Sequence, residues 1–295
     1  MSDSPYLEVV LTGTGIPHPS PGRAGAGTLV RYRNAKKTIA LQFDAGRGTV
    51  VRLAEAGTTP PFLSALFLTH LHSDHLVDLA DVAMTRWIQQ QLHRTGPLTI
   101  VTPEGGAARF ARRMFDPFDE DIAVRREHTG APAPEIDLRV FDAGYERRVV
   151  WADDSKSVTV TAIAVHHEPV PDAVAYRVDT PAGAVVISGD TRVCAEVEEL
   201  SRGAGILVHE ACRLTAMTET IAGTVFENIF SYHADTVPLG AMAERCAIPH
   251  LVLTHLIPAP NTDAEEASFE SDVRQGGYTG RVTVGRDLMS FRLPD

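Results

Sequence analysis

Short apolar runs alternate with amphipathic stretches along the chain, and glycine, proline and polar residues separate them. The apolar run at residues 63–68 predicts a buried strand, and the amphipathic stretch at residues 76–93 predicts a helix after it. Near residue 236 an aspartate precedes Thr-Val-Pro, which predicts a helix start with a capping side chain and a proline in the first turn. The chain therefore combines strands and helices.

The same pattern gives a complete set of expected elements. Strands are predicted at residues 7–13, 27–33, 38–44, 64–69, 98–102, 137–141, 148–151, 157–165, 173–178, 184–188, 205–209, 250–254 and 282–284. Helices are predicted at about 47–56, 76–93, 105–115 and 236–247. Residues 116–134 mix acidic, basic and proline residues and are predicted to form a surface loop that overhangs the functional site. This order favours an α/β fold, a four-layer αββα sandwich.

Composition narrows the class of protein. With 295 residues and 44% hydrophobic positions, the chain can bury a substantial core, and we expect one domain over residues 1–295. No run is long and apolar enough for a membrane span, and the polar start shows no secretory signal. Three widely spaced cysteines, Cys194, Cys212 and Cys246, indicate a reduced compartment. We therefore expect a cytoplasmic protein without a membrane partner.

One short segment carries most of the candidate chemistry. Residues 69–75 are Thr-His-Leu-His-Ser-Asp-His, which places His70, His72, Asp74 and His75 within six positions. The segment lies between the predicted strand and helix, where α/β proteins place their active sites. Imidazole and carboxylate groups are the usual ligands of zinc. The sequence therefore predicts a metal site.

This H-x-H-x-D-H motif resembles that of the metallo-β-lactamase fold superfamily, and the resemblance covers nearly the whole chain. In that family the third ligand histidine lies on a later strand, where His166 and His167 are adjacent candidates. Similar relatives carry His-x-Pro-Val before an Ala-x-x-Tyr-Arg strand, and this alignment selects His167. Only one of two adjacent strand side chains can face the site. The role of His166 stays open.

The resemblance supplies the remaining ligands. Asp190, in Gly-Asp-Thr after an apolar strand, is similar to the family's bridging aspartate, and His255 is similar to its last ligand. The implied first site is His70, His72, His167 and Asp190, and the implied second site is Asp74, His75, Asp190 and His255. Two divalent metal ions roughly 3.5–4 Å apart would share Asp190 and a bridging hydroxide. Zinc fits these ligands best, and manganese and iron are alternatives.

Three further segments resemble the tRNase Z and sulfatase-like branch of this superfamily. They are Gly-Thr-Gly-Ile-Pro at residues 13–17, His-Glu-Ala at residues 209–211 and His-Ala-Asp-Thr at residues 233–236. The resemblance implies that His233 assists the leaving group and that Glu210 orients the His233 side chain. Asp74 would orient the hydroxide while it binds one metal. The alternatives are a helix-terminal role for His233 and a structural hydrogen bond for Glu210.

Two features argue against tRNA as a substrate. The tRNA-binding arm of tRNase Z lies between the third histidine and the bridging aspartate, but His167 and Asp190 are only 23 positions apart here. The net charge is −11, and polynucleotide binding depends largely on basic residues that contact phosphates. We therefore expect a small-molecule substrate, and the resemblance implies a homodimer.

The expected activity is a dinuclear metal-dependent hydrolysis. The main hypothesis is a phosphodiesterase for a small substrate that uses the metal-bridging hydroxide. Alternative hypotheses are a lactone or carboxylic-ester hydrolase, a β-lactam hydrolase and a sulfate-ester hydrolase. A non-catalytic binding scaffold is a further alternative, which the complete set of seven candidate ligands disfavours.

Overall fold

A computed structural model describes residues 4–294 and contains two seven-stranded sheets. In chain order the strands are β1 (Tyr6–Gly13), β2 (Gly27–Arg33), β3 (Thr38–Phe43), β4 (Ala65–Phe67), β5 (Leu98–Pro103), β6 (Ile136–Phe141), β7 (Arg148–Ala152), β8 (Thr159–Ala164), β9 (Val174–Thr180), β10 (Gly183–Ile187), β11 (Ile206–Cys212), β12 (His250–Ile257), β13 (Arg281–Val284) and β14 (Ser290–Leu293). The helices are α1 (Thr49–Glu55), α2 (Ser73–Leu76), α3 (Leu79–His93), α4 (Gly106–Arg113), α5 (Asp119–Thr129), α6 (Ala195–Ser201), α7 (Leu214–Ile221), α8 (Val225–Ser231), α9 (Thr236–Arg245) and α10 (Asp263–Gln275).

The strand order brings the ends of several parallel strands to one edge of each sheet. The first sheet has the order β14-β1-β2-β3-β4-β5-β6, and β3 through β6 are parallel. The second has the order β13-β12-β11-β10-β9-β8-β7, and β10 through β13 are parallel. The segments that follow β4 and β10 leave the sheets at these carboxyl ends, where α/β proteins bind ligands.

Alternating side chains of the central strands bury both faces of each sheet. In β4, Phe67 packs in the core between the sheets, whereas Leu66 packs under the outer helices. Helix α3 covers the first sheet with Leu79 and Val82, and α9 covers the second with residues such as Leu239. Successive strand side chains point to opposite faces, so this pattern builds four layers. The predicted αββα sandwich is confirmed.

The single helix predicted at residues 76–93 is wrong in detail, because the chain forms α2 and α3 with a break at Asp78. The carboxylate of Asp78 accepts a hydrogen bond from the Val50 backbone N–H at 3.2 Å. The backbone N–H of Asp78 donates to Ala45 at 2.9 Å. These two hydrogen bonds connect the break at Asp78 to the start of α1. Hydrophobic periodicity does not predict such a contact.

The loop predicted at residues 116–134 is also wrong, because residues 119–129 form α5 after a 3₁₀ turn. No side chain of α5 is buried, so the helix has no apolar face to detect. Its first turn holds Asp119, Glu120 and Asp121 and its last turn holds Arg126 and His128, which complements the helix dipole. Charge patterning was the available signal.

Five other elements were not predicted: α6, α7, α8, α10 and β14. Helix α10 did carry a signal, since Thr262 and Glu265 form a capping box. Among residues 4–294 no helix combines the length and the apolar character needed to cross a membrane.

Candidate metal centre and adjoining cavity

The turn between β4 and α3 is packed tightly against two glycines. A side chain at Gly46 would lie 2.2 Å from the backbone oxygen of Asp74, and one at Gly25 would lie 2.9 Å from the same oxygen. Within the turn, the His75 backbone N–H donates to the carbonyl of His72 at 3.1 Å. These contacts fix the backbone that presents the first four candidate ligands.

The first predicted site assembles from both sheets. His70, His72, His167 and Asp190 each offer a ligand atom, and these atoms lie within 4.8 Å of one another. His70 Nε2 and His167 Nε2 are each 3.9 Å from Asp190 Oδ2. His167 Nε2 is 3.2 Å from His72 Nδ1. The structure thus brings all four predicted residues together.

The second predicted site lies next to the first and shares Asp190 with it. Asp74, His75 and His255 form a second group, and the same Asp190 Oδ2 lies 3.4 Å from His75 Nε2 and 3.3 Å from His255 Nε2. His255 adopts a φ of 44° where the pairing of β11 with β12 shifts register. Such a bulge re-aims a side chain, and here it turns His255 toward the aspartates.

Unpartnered buried nitrogens test whether this donor set fits a metal. His70 Nε2 and His75 Nε2 are buried and have no hydrogen-bond partner among the described residues. Buried polar atoms without partners are rare in folded proteins. Neutral imidazoles and a shared carboxylate are ligands of divalent metal ions. The cluster therefore fits divalent metal ions.

A layer of hydrogen bonds behind the cluster orients the imidazoles. His75 Nδ1 donates to Asp44 Oδ2 at 2.7 Å, and Thr69 donates to the same carboxylate from its backbone N–H and its hydroxyl, each at 2.8 Å. His70 Nδ1 donates to the Thr69 hydroxyl at 3.0 Å. With Nδ1 engaged, Nε2 of both rings is left for the centre.

Crowding of acids and bases shifts several pKa values in the cluster. Burial lowers the pKa of His70 well below its usual value, and the neighbouring His75 adds to this effect. Burial opposes ionisation of Asp190, yet the imidazoles of His255 and His75 hold its pKa well below the usual range. The aspartate is thus a carboxylate anion at neutral pH, as metal ligation requires.

Glu210 and His233 form a pair directly beside the cluster. The buried Glu210 accepts His233 Nδ1 at 2.9 and 3.0 Å, and its Oε1 also accepts the backbone N–H of Thr191, next to Asp190, at 2.7 Å. Burial opposes protonation of His233, but Glu210 raises its pKa to about 9. The pair links the Asp190 segment to the residues before α9, and the structure places Glu210 against His233, the residue that it was predicted to orient.

His166 stands apart from the cluster. Its ring is half-buried, lies 3.3 Å from Glu196 and 3.5 Å from Glu168, and stacks on Tyr145 at 5.4 Å between centroids. His167 is buried instead, and its Nδ1 donates to the carbonyl of Tyr232 at 3.4 Å. Of the two adjacent candidates, His167 is the one that joins the cluster.

A cavity of about 880 Å³ opens directly onto this centre. Asp74, Asp190, His233 and His255 form its polar floor. One wall comes from residues 16–21, and the other comes from α8 and the end of β12. The α8 wall was not predicted, although the run Val-Phe-Glu-Asn-Ile-Phe-Ser-Tyr at residues 225–232 is rich in aromatic side chains. The segment at 116–134, predicted to overhang the site, does not line this cavity.

The chain resembles known proteins over almost its full length. Residues 41–256 match the model of the beta-lactamase superfamily domain. Ribonuclease Z of Mycolicibacterium paratuberculosis is 38% identical over 285 residues, which is 96% of each chain. Ribonuclease Z of Mycobacterium bovis is 34% identical over 284 residues, again 96% of each chain.

Solved structures show the same fold at lower identity. The metallo-beta-lactamase fold protein YhfI from Bacillus subtilis superposes with a TM-score of 0.72 at 18% identity, covering 97% of this chain and 99% of YhfI. The short form of human tRNase Z superposes with a TM-score of 0.66 at 20% identity, covering 98% of this chain and all of the human one.

These relatives contradict the predicted partners. The expectation of a small-molecule substrate, with tRNA excluded, is wrong, because relatives named ribonuclease Z align along 96% of both chains. The short spacing between His167 and Asp190 leaves room only for the hairpin of β9 and β10. A short connection and a net charge of −11 do not fix where basic side chains lie on the surface.

Proposed function

Because the chain belongs to the metallo-β-lactamase superfamily, in its tRNase Z branch, we propose that it cleaves phosphodiester bonds of RNA and that tRNA is its substrate. The fold, the clustered candidate ligands and the relatives named ribonuclease Z together support metal-dependent hydrolysis of phosphodiesters. We also propose that residues 1–295 act as a single hydrolase domain. The choice of RNA rests on the names of relatives that share more than a third of their residues with this chain.

Seven side chains would hold two metal ions. His70, His72, His167 and Asp190 would bind one ion, and Asp74, His75, His255 and the shared Asp190 would bind the other. Zinc fits these nitrogen and oxygen ligands best. When bound, the ions would lower the pKa of water toward neutrality and balance the charge that develops on the phosphate. Asp74, on the cavity floor, would accept a hydrogen bond from the attacking water and so orient it.

The pairing of Glu210 with His233 is the observation that carries the proposal. Both Glu210 oxygens hold His233 Nδ1, so Nε2 is the ring nitrogen that remains for a substrate oxygen. His233 also lines the cavity beside Asp190. A proton held there can pass to the leaving oxygen of a nucleotide, which is a poor leaving group without protonation. Hydrolysis of a carboxylic ester would not require this pair in the same way.

Exposed arginines supply cationic surface for the RNA backbone. Arg126, Arg147 and Arg148 are exposed, and none of them forms a salt bridge with a carboxylate within residues 4–294. Unpaired arginines can contact phosphates directly, and such contacts provide much of the affinity for nucleic acids. The acidic net charge is thus compatible with local binding of RNA.

The test is cleavage of a precursor tRNA by zinc- or manganese-loaded protein. We expect one endonucleolytic cut, and we expect the Asp190→Ala variant to make none. An unrelated RNA hairpin and an aryl phosphodiester serve as comparison substrates. If metal-loaded protein cleaves the aryl phosphodiester but no RNA, the RNA proposal is wrong. If it cleaves neither but hydrolyses a lactone or carboxylic ester, the phosphodiester assignment fails as well.

A further inference from the structure

Helix α8 presents aromatic side chains to the cavity rather than to the core. Phe226 and Phe230 line the cavity, with their ring centroids 5.7 Å apart. The Phe226 side chain is 50% exposed, although large apolar side chains are usually buried. Tyr232 continues this wall as far as His167, at 5.3 Å between ring centroids. An aromatic surface therefore extends from the solvent to the metal centre.

The opposite wall is short, apolar and firmly anchored. Ile16, Pro17 and Pro19 face the cavity from the loop that follows β1. Asp287 holds both ends of this loop, because its carboxylate accepts the backbone N–H of Thr14 at 3.0 Å and that of Ala24 at 2.7 Å. The anchoring fixes the spacing that a ligand would meet opposite α8.

The chemistry of the cavity limits what it can accept. Among the described residues that line it, none is lysine or arginine. The walls therefore offer neither lysine nor arginine to a second phosphate, besides the phosphate that would lie at the metal centre. A volume of about 880 Å³ lies within the range of roughly 300–1,000 Å³ that is typical of pockets for small organic ligands. The occupant should present a flat face to these walls and be linked to the group that lies at the metal centre.

A nucleobase meets all of these requirements, because every base has a flat face that stacks on aromatic side chains. We propose that the cavity between α8 and residues 16–21 is a subsite for the base of a nucleotide that flanks the scissile phosphate. Phe230 and Phe226 bind this base by stacking. The inference rests on the proposed function and adds to it a specific contact with the substrate.

The experiment measures whether the effect of removing the Phe230 ring on kcat/KM depends on the presence of the base. Wild type and Phe230→Ala are compared on an RNA that wild type cleaves, and on two versions with an abasic nucleotide on either side of the cut. We expect Phe230→Ala to lower kcat/KM on the intact RNA by about 5- to 150-fold. At one flanking position the abasic change should lower the wild-type rate similarly, and Phe230→Ala should add little to that loss.

Two further variants separate stacking from general packing. Phe230→Tyr retains a flat ring and should keep most of the wild-type rate, whereas Phe230→Leu should resemble Phe230→Ala. Phe62→Ala removes a ring that is 59% exposed and lies outside the cavity, so it should leave cleavage unchanged. Metal content should be the same in all of these proteins.

Two failures can be told apart. If wild type cleaves no RNA, the proposed function fails and the base subsite falls with it. If wild type cleaves RNA but Phe230→Ala has no effect, or lowers the rates on intact and abasic RNA by the same factor, the subsite alone is wrong.

Discussion

The two sheets contribute to the centre in different ways. The first sheet delivers His70, His72, Asp74 and His75 together, from one turn after β4. The second delivers its candidate residues singly, from separate segments: His167 before β9, Asp190 after β10, Glu210 on β11 and His255 on β12.

This difference determines how the residues contributed by each sheet respond to substitution. The first set depends on the local backbone, so a change in the turn disturbs several side chains together. The second set depends on the pairing of β10, β11 and β12, and a substitution there removes one contribution at a time. Substitutions in the two sheets therefore test this comparison.

The largest effect is expected at Asp190, the residue of the second sheet that both groups share. Asp190→Ala should lower kcat/KM by at least about 10³-fold, because ions supply several kcal/mol of transition-state stabilisation. Elemental analysis should show loss of both metals in this variant, whereas Asp74→Ala, from the first sheet, should keep one. Asp154→Ala, an exposed aspartate, is the matched control. Full metal content in Asp190→Ala would show that the two halves do not share this ligand.

Substitution of His233 tests a contribution that is separate from metal binding, made by a residue that pairs with Glu210 of the second sheet. His233→Ala should lower kcat on RNA by roughly 10²-fold, the lower end for general acid catalysis, with metal content unchanged. An aryl phosphodiester has a leaving group that departs without a proton, so its hydrolysis should fall much less. Equal losses on both substrates would rule out the leaving-group role.

Asp44 tests the support behind the first-sheet turn. Asp44→Asn keeps a residue type that tolerates the observed φ of 58° but removes the charge opposite His75. Metal affinity should fall roughly 10- to 100-fold, as is typical when a hydrogen-bond partner of a ligand histidine is changed. Competition with a chelator measures this affinity. An unchanged metal affinity would show that Asp44 has only a structural role in its turn.

The smallest effect is expected where the sheets meet far from the centre. Lys37, between β2 and β3, pairs with Asp153, after β7. Burial opposes ionisation of Asp153, but bonds from Lys37, Ser155 and the Val158 backbone hold its pKa well below the usual range. Asp153→Asn should therefore lower the free energy of unfolding by about 1 kcal/mol at pH 7.

The sign of the pH effect follows from this lowered pKa. The stabilisation is complete above the unfolded-state pKa of about 3.9 and is lost as the pH falls toward the folded-state pKa. In urea unfolding, the difference between wild type and Asp153→Asn should be smaller at pH 3 than at pH 7. Asp154→Asn should show no such difference. A difference in the free energy of unfolding that increases as the pH falls would contradict the lowered pKa of Asp153.

Much of the fold was predictable because its signals are local. Residues 63–68 gave a strand by their apolar run, and both faces of β4 are buried as such a run implies. Helix α5 was missed because it buries no side chain. Similarity in motif order indicated Asp190 and His255, although both lie more than 100 positions from the His70 turn.

The error about tRNA had a different source. It treated net charge and one short connection as if they determined the whole surface. Net charge is a sum over all side chains, whereas binding of RNA depends on where unpaired basic side chains lie on the surface.

The sequence by itself determined the αββα layering and the types of residue available for the metal centre, because periodicity and local motifs depend on near neighbours along the chain. Only the tertiary structure decided that His255 turns inward at a bulge and that α8 forms a cavity wall. These outcomes depend on strand register and on packing between segments distant in sequence. Such contacts form only when the two sheets come together.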